Sequence, residues 1–468
     1  MIDNIIEFAN DALYTYVLII LLVLGGIYFS VRTKFVQFRL LREQFRAVTE
    51  KPADGKGVSS FQALMVSTAS RVGTGNIIGV ATAICLGGFG SMFWMWVIAL
   101  LGAASAFIES TLAQIYKKRG SDGSYGGPAY YIEAFTGGKK LAIAFSIFLI
   151  LTYGVGFNML ASFNLQSTFS SYGFYSEKSS PWIIGGIIAI LVAVCLFGGG
   201  KRIIKTTSLL VPFMGMAYIL VAVIIMIMNA DMLPWVFKRI FSEAFDFRAI
   251  FGGFTGSCIM YGIKRGLFSN EAGVGSAPNA SASAEVAHPA KQGLVQVLSV
   301  FIDTMLVCTA TGFMCMVSGV PTVSDANAVA GYVQAAMKAT LGDFGPIFLT
   351  AAMVLFAFTT LLGNLFYVDK AFRYIRGREL SHKFNAVYYT VASLLILVGA
   401  VLSADLLWGI ADITMGLMAV INMPIILILG KYAIRALNDF MAQRKAGKEP
   451  TFRVKDIGLP HKVDYWQE

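Results

Sequence analysis

Apolar stretches of about twenty residues recur along the whole chain, separated by short polar or basic segments. A helix needs about that length to cross a bilayer. The pattern predicts a first span over 12–31 and a basic amphipathic connector over 32–57. Ten more spans are predicted near 61–86, 88–116, 140–170, 181–198, 206–230, 248–286, 291–319, 345–368, 384–402 and 405–430. GGPAYYIEAF (126–135) is too short to span and is expected to lie at the interface. The predicted fold class is therefore an all-α membrane protein of about eleven transmembrane helices.

Two spans break their own pattern. RVGTGN (71–76) interrupts 61–86, and YGIKRGLFSNEAG (261–273) interrupts 248–286. An arginine at mid-span costs roughly 2.5–3.5 kcal/mol on insertion scales, and each glycine weakens a helix interior by about 1 kcal/mol relative to Ala. Counted after the initial helix, the two spans stand first and sixth. Interrupted helices in corresponding positions of two halves point to a transporter with inverted repeats, although direct self-comparison shows no repeat. Unwinding at RVGTGN frees carbonyls that can ligate a hard cation such as Na⁺. It also exposes N–H groups at a new half-helix N-terminus, which can hold a carboxylate. Such backbone is tolerable at that depth only where it is buried in protein or lines a cavity, so the break is read as a binding site. A dinucleotide-binding reading fails because the third glycine, Gly79, is one residue late and the context is a membrane span.

Composition agrees with the pattern. The 468 residues are 56% hydrophobic and 14% charged, with 47 Gly against 12 Pro, which suits close helix packing in lipid. Mean hydropathy is +0.68. The net charge of +10 lies mainly in inter-helix loops, which favours topology over a nucleic-acid partner. Segments 32–46, 117–120, 201–205, 369–383 and the tail from Lys431 are basic and fall on one side of an eleven-span chain. Loops 176–180 and 318–331 are nearly free of basic residues, and Lys238 and Arg239 in 231–247 are a minor dissent. The N-terminus is expected outside and the C-terminus in the cytoplasm. The acidic start MIDNIIEFANDALYTY lacks the basic region of a cleavable signal. Five scattered cysteines and three scattered histidines support neither a disulfide framework nor a zinc site. No Ser/His/Asp set or HExxH motif suggests an enzyme.

Several polar residues inside spans have two readings. Thr359 and Thr360 either satisfy their own helix or complete a cation site with carbonyls from the broken helix. Asp303, near mid-bilayer, is either functional or paired with Arg71, Lys264 or Arg265. Glu271 is expected to pair with Lys264 or Arg265, Glu109 to lean on the basic KKRG end of its helix, and FWMW (93–96) to pack or anchor at the interface.

SRVGTGNIIGVATAI, GSMFWMW, FIESTLAQIYKKRG, GGPAYYIE, KRGLFSNEAGVGSAP, FIDTMLVCTATG, FAFTTLLGN and WGIADITMGLMA, in this order, resemble the alanine/glycine:cation symporter family over about residues 60–430. The resemblance implies a leucine-transporter-type core of five-plus-five inverted repeats, with two discontinuous helices and one extra N-terminal helix. The implied division is 1–57 for that helix and connector, 58–230 and 231–430 for the repeats, and 431–468 for a basic cytoplasmic tail. It implies Na⁺-coupled import of alanine or glycine across the cell inner membrane. The alternatives are a same-fold carrier for another amino acid such as glutamine or with H⁺ coupling, and, further off, an ion channel. Carried over, Ala69 and Val72 offer carbonyls and Thr359 and Thr360 hydroxyls to one sodium. Asn76 serves a second cation position or the substrate carboxylate, with Asp303 as a further candidate ligand. Gly73, Thr74 and Gly75 present backbone to the amino acid. Relatives carry an N-x-x-Q motif on the third core helix. Counted from Asn158, Ala161 takes the Gln position; counted from Asn164 with a one-residue gap, Gln166 does, and Gln166 is taken as the substrate contact. Asn364, after a glycine, is expected to tune the pocket.

Overall fold

The computed structural model describes residues 10, 12–52, 57–120, 123–247, 250, 253, 257–460 and 463–466. Most of the first ten residues, and most of 248–256 at the start of the predicted sixth core span, lie outside the described residues. Helices dominate. A two-stranded antiparallel hairpin, Lys118–Gly120 with Gly123–Tyr125, is the exception within the basic loop that follows the second core span.

The helices used below are α1 (Ile19–Arg32), α2 (Leu41–Thr49), α3 (Ser60–Arg71), α4 (Ile78–Gly87), α5 (Ser91–Ile115) and α6 (Pro128–Thr136). They continue with α7 (Lys140–Ser167), α8 (Ser180–Leu196), α9 (Gly199–Met228), α10 (Leu233–Ala244), α11 (Cys258–Asn270) and α12 (Pro289–Met316). The last four are α13 (Val329–Leu341), α14 (Phe344–Arg376), α15 (His382–Gly399) and α16 (Ala404–Lys445). Six helices are long and apolar enough to cross a membrane among the described residues: α5, α7, α9, α12, α14 and α16. The pair α3/α4, bent by 58°, makes a seventh if taken as one span.

Two helices stand where the sequence predicts loops. Residues 231–247 carry α10, and α13 begins in 318–331. Arg239 on α10 pairs with Glu243, whose other carboxylate oxygen accepts the N–H groups of Phe89 and Gly90. The Arg239 half of the dissenting basic charge is therefore neutralised beside the N-terminal end of α5. Basic residues also lie within helices rather than between them: KRIIK begins α9, and α14 and α16 run on to Arg376 and Lys445.

The core is built around the broken pair. α5 packs along α12 and α11, α3 lies against α9 and α14, and α4 against α11. α8 pairs with α15 farther out. Close approach needs small residues: a Cβ on Gly363 of α14 would come within 2.6 Å of the Ser70 backbone nitrogen. Both α7 and α12 contain a wider π turn, at Ile150–Gly156 and Phe301–Cys308, the second of which holds Asp303.

Candidate substrate and ion site

α3 starts with a capping box: Ser59 Oγ accepts from Gln62 N–H, and the Gln62 side chain accepts from Ser59 N–H. It stops at Arg71. Val72 and Gly73 turn to non-helical backbone, Thr74–Asn76 make one 3₁₀ turn, and helix resumes at Ile78. Asn76 Oδ1 accepts the Gly73 N–H at 2.8 Å, bracing the break. The two inner glycines are explained by crowding. Gly73 has extended backbone that any residue adopts, but its Cβ would sit 2.0 Å from Thr360 Oγ1. A Cβ on Gly75 would sit 2.6 Å from the Phe268 ring.

A buried cavity lies at this break, walled by Ser70, Arg71, Gly73, Thr74 and Gly75, by Phe157 and Ala161 of α7, by Phe268 of α11 and by Thr360 of α14. It encloses about 10 Å³, room for about one water. An amino acid cannot enter unless a wall moves. Phe268 stacks on Phe157 with centroids 4.3 Å apart and contacts Trp408 at 4.7 Å. Arg265 lies over the Trp408 ring and shares Asp412 with Lys264, at 3.1 and 3.0 Å. The structure is thus a closed arrangement with an aromatic wall and a buried ion cluster beside it.

The expected ligands separate into two groups. Thr360 Oγ1 donates to the Ala69 carbonyl at 3.1 Å across the break, so these two oxygens face one space, and Val72 follows at the turn. Thr359 stands apart from this pair: its hydroxyl donates back to the Leu355 and Phe356 carbonyls of its own helix and lies 3.4 Å from Met214 Sδ. The second group lies behind the cavity. Asn76 Nδ2 donates to Asp303 Oδ1 at 2.6 Å, and Asp303 Oδ2 accepts from Ser269 and Thr304, both at 2.7 Å. Asp303 is buried with these neutral partners, and no ion pair joins it to Arg71, Lys264 or Arg265 among the described residues.

Gly73, Thr74 and Gly75 line the cavity as expected, while Asn164 reaches the Thr74 hydroxyl at 3.2 Å. Asn364 stands one layer back, donating to Asn158 Oδ1 at 2.9 Å and accepting from Ser70 Oγ at 2.7 Å. Gln166 also stands apart: it accepts from Tyr175 OH at 2.7 Å and does not line the cavity, whereas Ala161 does. The carboxylates near the second break also differ from expectation. Glu271 accepts from Ser70 and Ser276, and Glu109 from Asn422 and the Gly273 N–H. Lys264 and Arg265 take Asp412 instead. YGIKRGLFSN stays helical in α11, and the chain opens only at Glu271, which is left-handed at φ 52°, followed by Gly273 and Gly275 at φ 85° and 91°. Phe157, Phe268 and Ser70 were not singled out from sequence. The spacing of Phe157 and Ala161, one helical turn apart, was the available signal.

A model of the sodium:alanine symporter family matches residues 1–454. The chain is 40% identical over 466 residues to the amino-acid carrier protein AlsT of Bacillus subtilis (strain 168), covering 100% of this chain and 98% of that one. It is 40% identical over 470 residues to the probable sodium/glutamine symporter GlnT of the same organism, covering 100% and 96%. It is 36% identical over 454 residues to the sodium/alanine symporter AgcS of Methanococcus maripaludis, covering 94% and 98%. Among solved structures it resembles MhsT in complex with L-phenylalanine, with TM-score 0.52 and 15% identity over 84% of this chain and 97% of that one; this likeness bears on fold alone. The chain is therefore a transport protein, not an enzyme, and belongs to the sodium:alanine symporter family.

Proposed function

We propose that this protein imports a small neutral amino acid, alanine or glycine, together with Na⁺ across the cell membrane by alternating access. The carrying observation is the closed cavity at the unwound 72–77 segment, where the Ala69 carbonyl and Thr360 hydroxyl converge and Gly73 and Gly75 admit close neighbours. In this reading Na⁺ sits among the Ala69 and Val72 carbonyls and the Thr360 hydroxyl. The amino acid's carboxylate docks on N–H groups around Gly73–Gly75, at the positive end of α4. Asn76 and Asp303 form a second polar site that a further cation can use. Na⁺ favours the open-outward arrangement through its differential affinity for that state. Closure then stacks Phe268 on Phe157.

The proposed topology has eleven spans, an extra N-terminal helix before two five-helix repeats (58–230 and 231–430), an outer N-terminus and a cytoplasmic tail. A second reading, a larger amino acid such as glutamine, is favoured by Ala161 on the cavity wall, where a short side chain leaves room. H⁺ in place of Na⁺ is favoured by the buried carboxylates Glu109, Glu271 and Asp303. The test is uptake of a labelled amino-acid panel by proteoliposomes, with Na⁺, H⁺ or no gradient. Na⁺-driven, saturable uptake of alanine or glycine is expected. Large channel-like currents, or uptake indifferent to Na⁺, would refute it.

A further inference from the structure

Beyond α16 the chain does not leave the protein. Thr451 and Gln443 exchange two hydrogen bonds, and Arg435 donates to the Ile457 carbonyl at 2.9 Å. The Phe452 N–H donates to the Ala287 carbonyl at 3.1 Å, and its ring meets His288 and Trp466 edge to face. The tail then reaches the end of α5. Trp466 Nε1 donates to the Gln114 carbonyl at 2.8 Å, Arg119 holds the Tyr465 carbonyl at 3.0 Å, and Lys117 lies 3.8 Å from the Tyr465 ring centroid. The Tyr465 hydroxyl donates to Glu285.

Glu285 is what gives these contacts a consequence. It is buried, pairs with fully buried Lys117 at 3.6 Å, and its own N–H donates to the Val58 carbonyl at 2.9 Å. Val58 and Ala284 form a parallel bridge next to Ser59, the residue that caps α3. Ala63 of α3 is sealed against Ala284 and Val286 in a small apolar cluster of its own. A chain of contacts therefore runs from the tail through Glu285 and Val58 to the first turn of α3, the half-helix that ends at the cavity. The start of α3 cannot swing away from this end without parting from 284–286.

We propose that the described tail residues, 451–460 and 463–466, are a latch that holds α3 against the 284–286 segment and so keeps the cavity closed on the tail side. The latch sets how often that side opens. The assignment of this side as cytoplasmic rests on the function proposed above; the latch itself does not depend on which solute is carried.

The test uses the full chain in proteoliposomes with Ala63→Cys, following alkylation of the introduced thiol by peptide mass mapping, and following buried Cys315 as a reference. Tyr465→Ala with Trp466→Ala removes a carboxylate hydrogen bond, an indole hydrogen bond and three cation–π contacts, from Lys117 to both rings and from Arg119 to Tyr465. The expected result is alkylation about tenfold faster at position 63, equivalent to about 1.4 kcal/mol, with Cys315 still protected. Tyr465→Phe, which keeps the ring and removes only the Glu285 contact, should give a smaller rise. Unchanged labelling at position 63 in both variants would overturn the latch. So would equal acceleration at Cys315, which reads general loosening. Amino-acid uptake by the protein with its tail intact, measured in the same vesicles, separates failure of the latch from failure of the transport reading.

Discussion

Gly73→Ala tests the proposed ion site through one methyl group. The backbone at Gly73 tolerates alanine, so the effect is purely local: the new Cβ falls 2.0 Å from Thr360 Oγ1, with Thr360 Cβ at 3.1 Å and Cγ2 at 3.2 Å. Oγ1 must swing away, and its 3.1 Å bond to the Ala69 carbonyl goes with it. Losing the donor to a buried carbonyl costs about 1–3 kcal/mol, and crowding of this kind costs about 1–3 kcal/mol more. Taking the low end of both, about 2 kcal/mol, the Na⁺ concentration for half-maximal uptake should rise about 30-fold. The assay is labelled alanine uptake at a series of Na⁺ concentrations. Thr360→Ala provides the control, because it removes the colliding oxygen. In that background Gly73→Ala should change the half-maximal Na⁺ by no more than about twofold, a coupling that a double-mutant cycle reads directly. If Gly73→Ala acts equally strongly with and without the Thr360 hydroxyl, or leaves Na⁺ dependence untouched, the Ala69–Thr360 pair does not hold the ion.

Four other substitutions probe neighbouring parts of the structure. Thr359→Ala removes a hydroxyl bonded to its own helix and should shift half-maximal Na⁺ less than about twofold, against about tenfold or more for Thr360→Ala; equal shifts in uptake titrations would restore Thr359 as a ligand. Ala161→Leu drives three more carbons into a cavity of about 10 Å³ and should abolish amino-acid binding, measured by equilibrium binding, at an overpacking cost of about 1–3 kcal/mol. Gln166→Ala should leave that binding within about twofold, since one hydrogen bond to Tyr175 outside the cavity is lost. Asp412→Ala removes the buried carboxylate that Lys264 and Arg265 share and should lower stability by about 3–5 kcal/mol, seen as earlier thermal unfolding in detergent, whereas loss of a solvated pair would be barely detectable.

What could be read from the chain beforehand was whatever depends on local composition. Apolar runs locate spans because lipid excludes unsatisfied backbone. RVGTGN announced its break because five small or polar residues together, Arg71 and Gly73 to Asn76, cannot be satisfied by packing alone. What remained hidden was helical phase. Thr359 and Thr360 are about 100° apart around α14, so one facing the break turns the other aside, and nothing local says which. The five residues from Ala161 to Gln166 amount to about 140° of rotation once full turns are removed, enough to carry Gln166 off the cavity wall.

The second break shows the other limit. Lys264 and Arg265 look like the place where a helix must fail, yet α11 runs through them because Asp412, 147 residues later, meets the Arg265 guanidinium inside the bundle. The helix ends instead at Glu271, a residue not suited to left-handed backbone. Ser276 from beyond the second break donates to its carboxylate at 2.6 Å, and the Ser70 hydroxyl from the first break, shared with Asn364, lies 3.2 Å from it. A strained residue persists only when its surroundings over-determine it, and here those surroundings come from both interrupted helices. Glu271 therefore ties the two breaks together, so a movement of α3 away from its neighbours must also disturb the 271–276 turn. The two interruptions behave as one mechanical unit around the cavity, a property carried by neither segment's sequence alone.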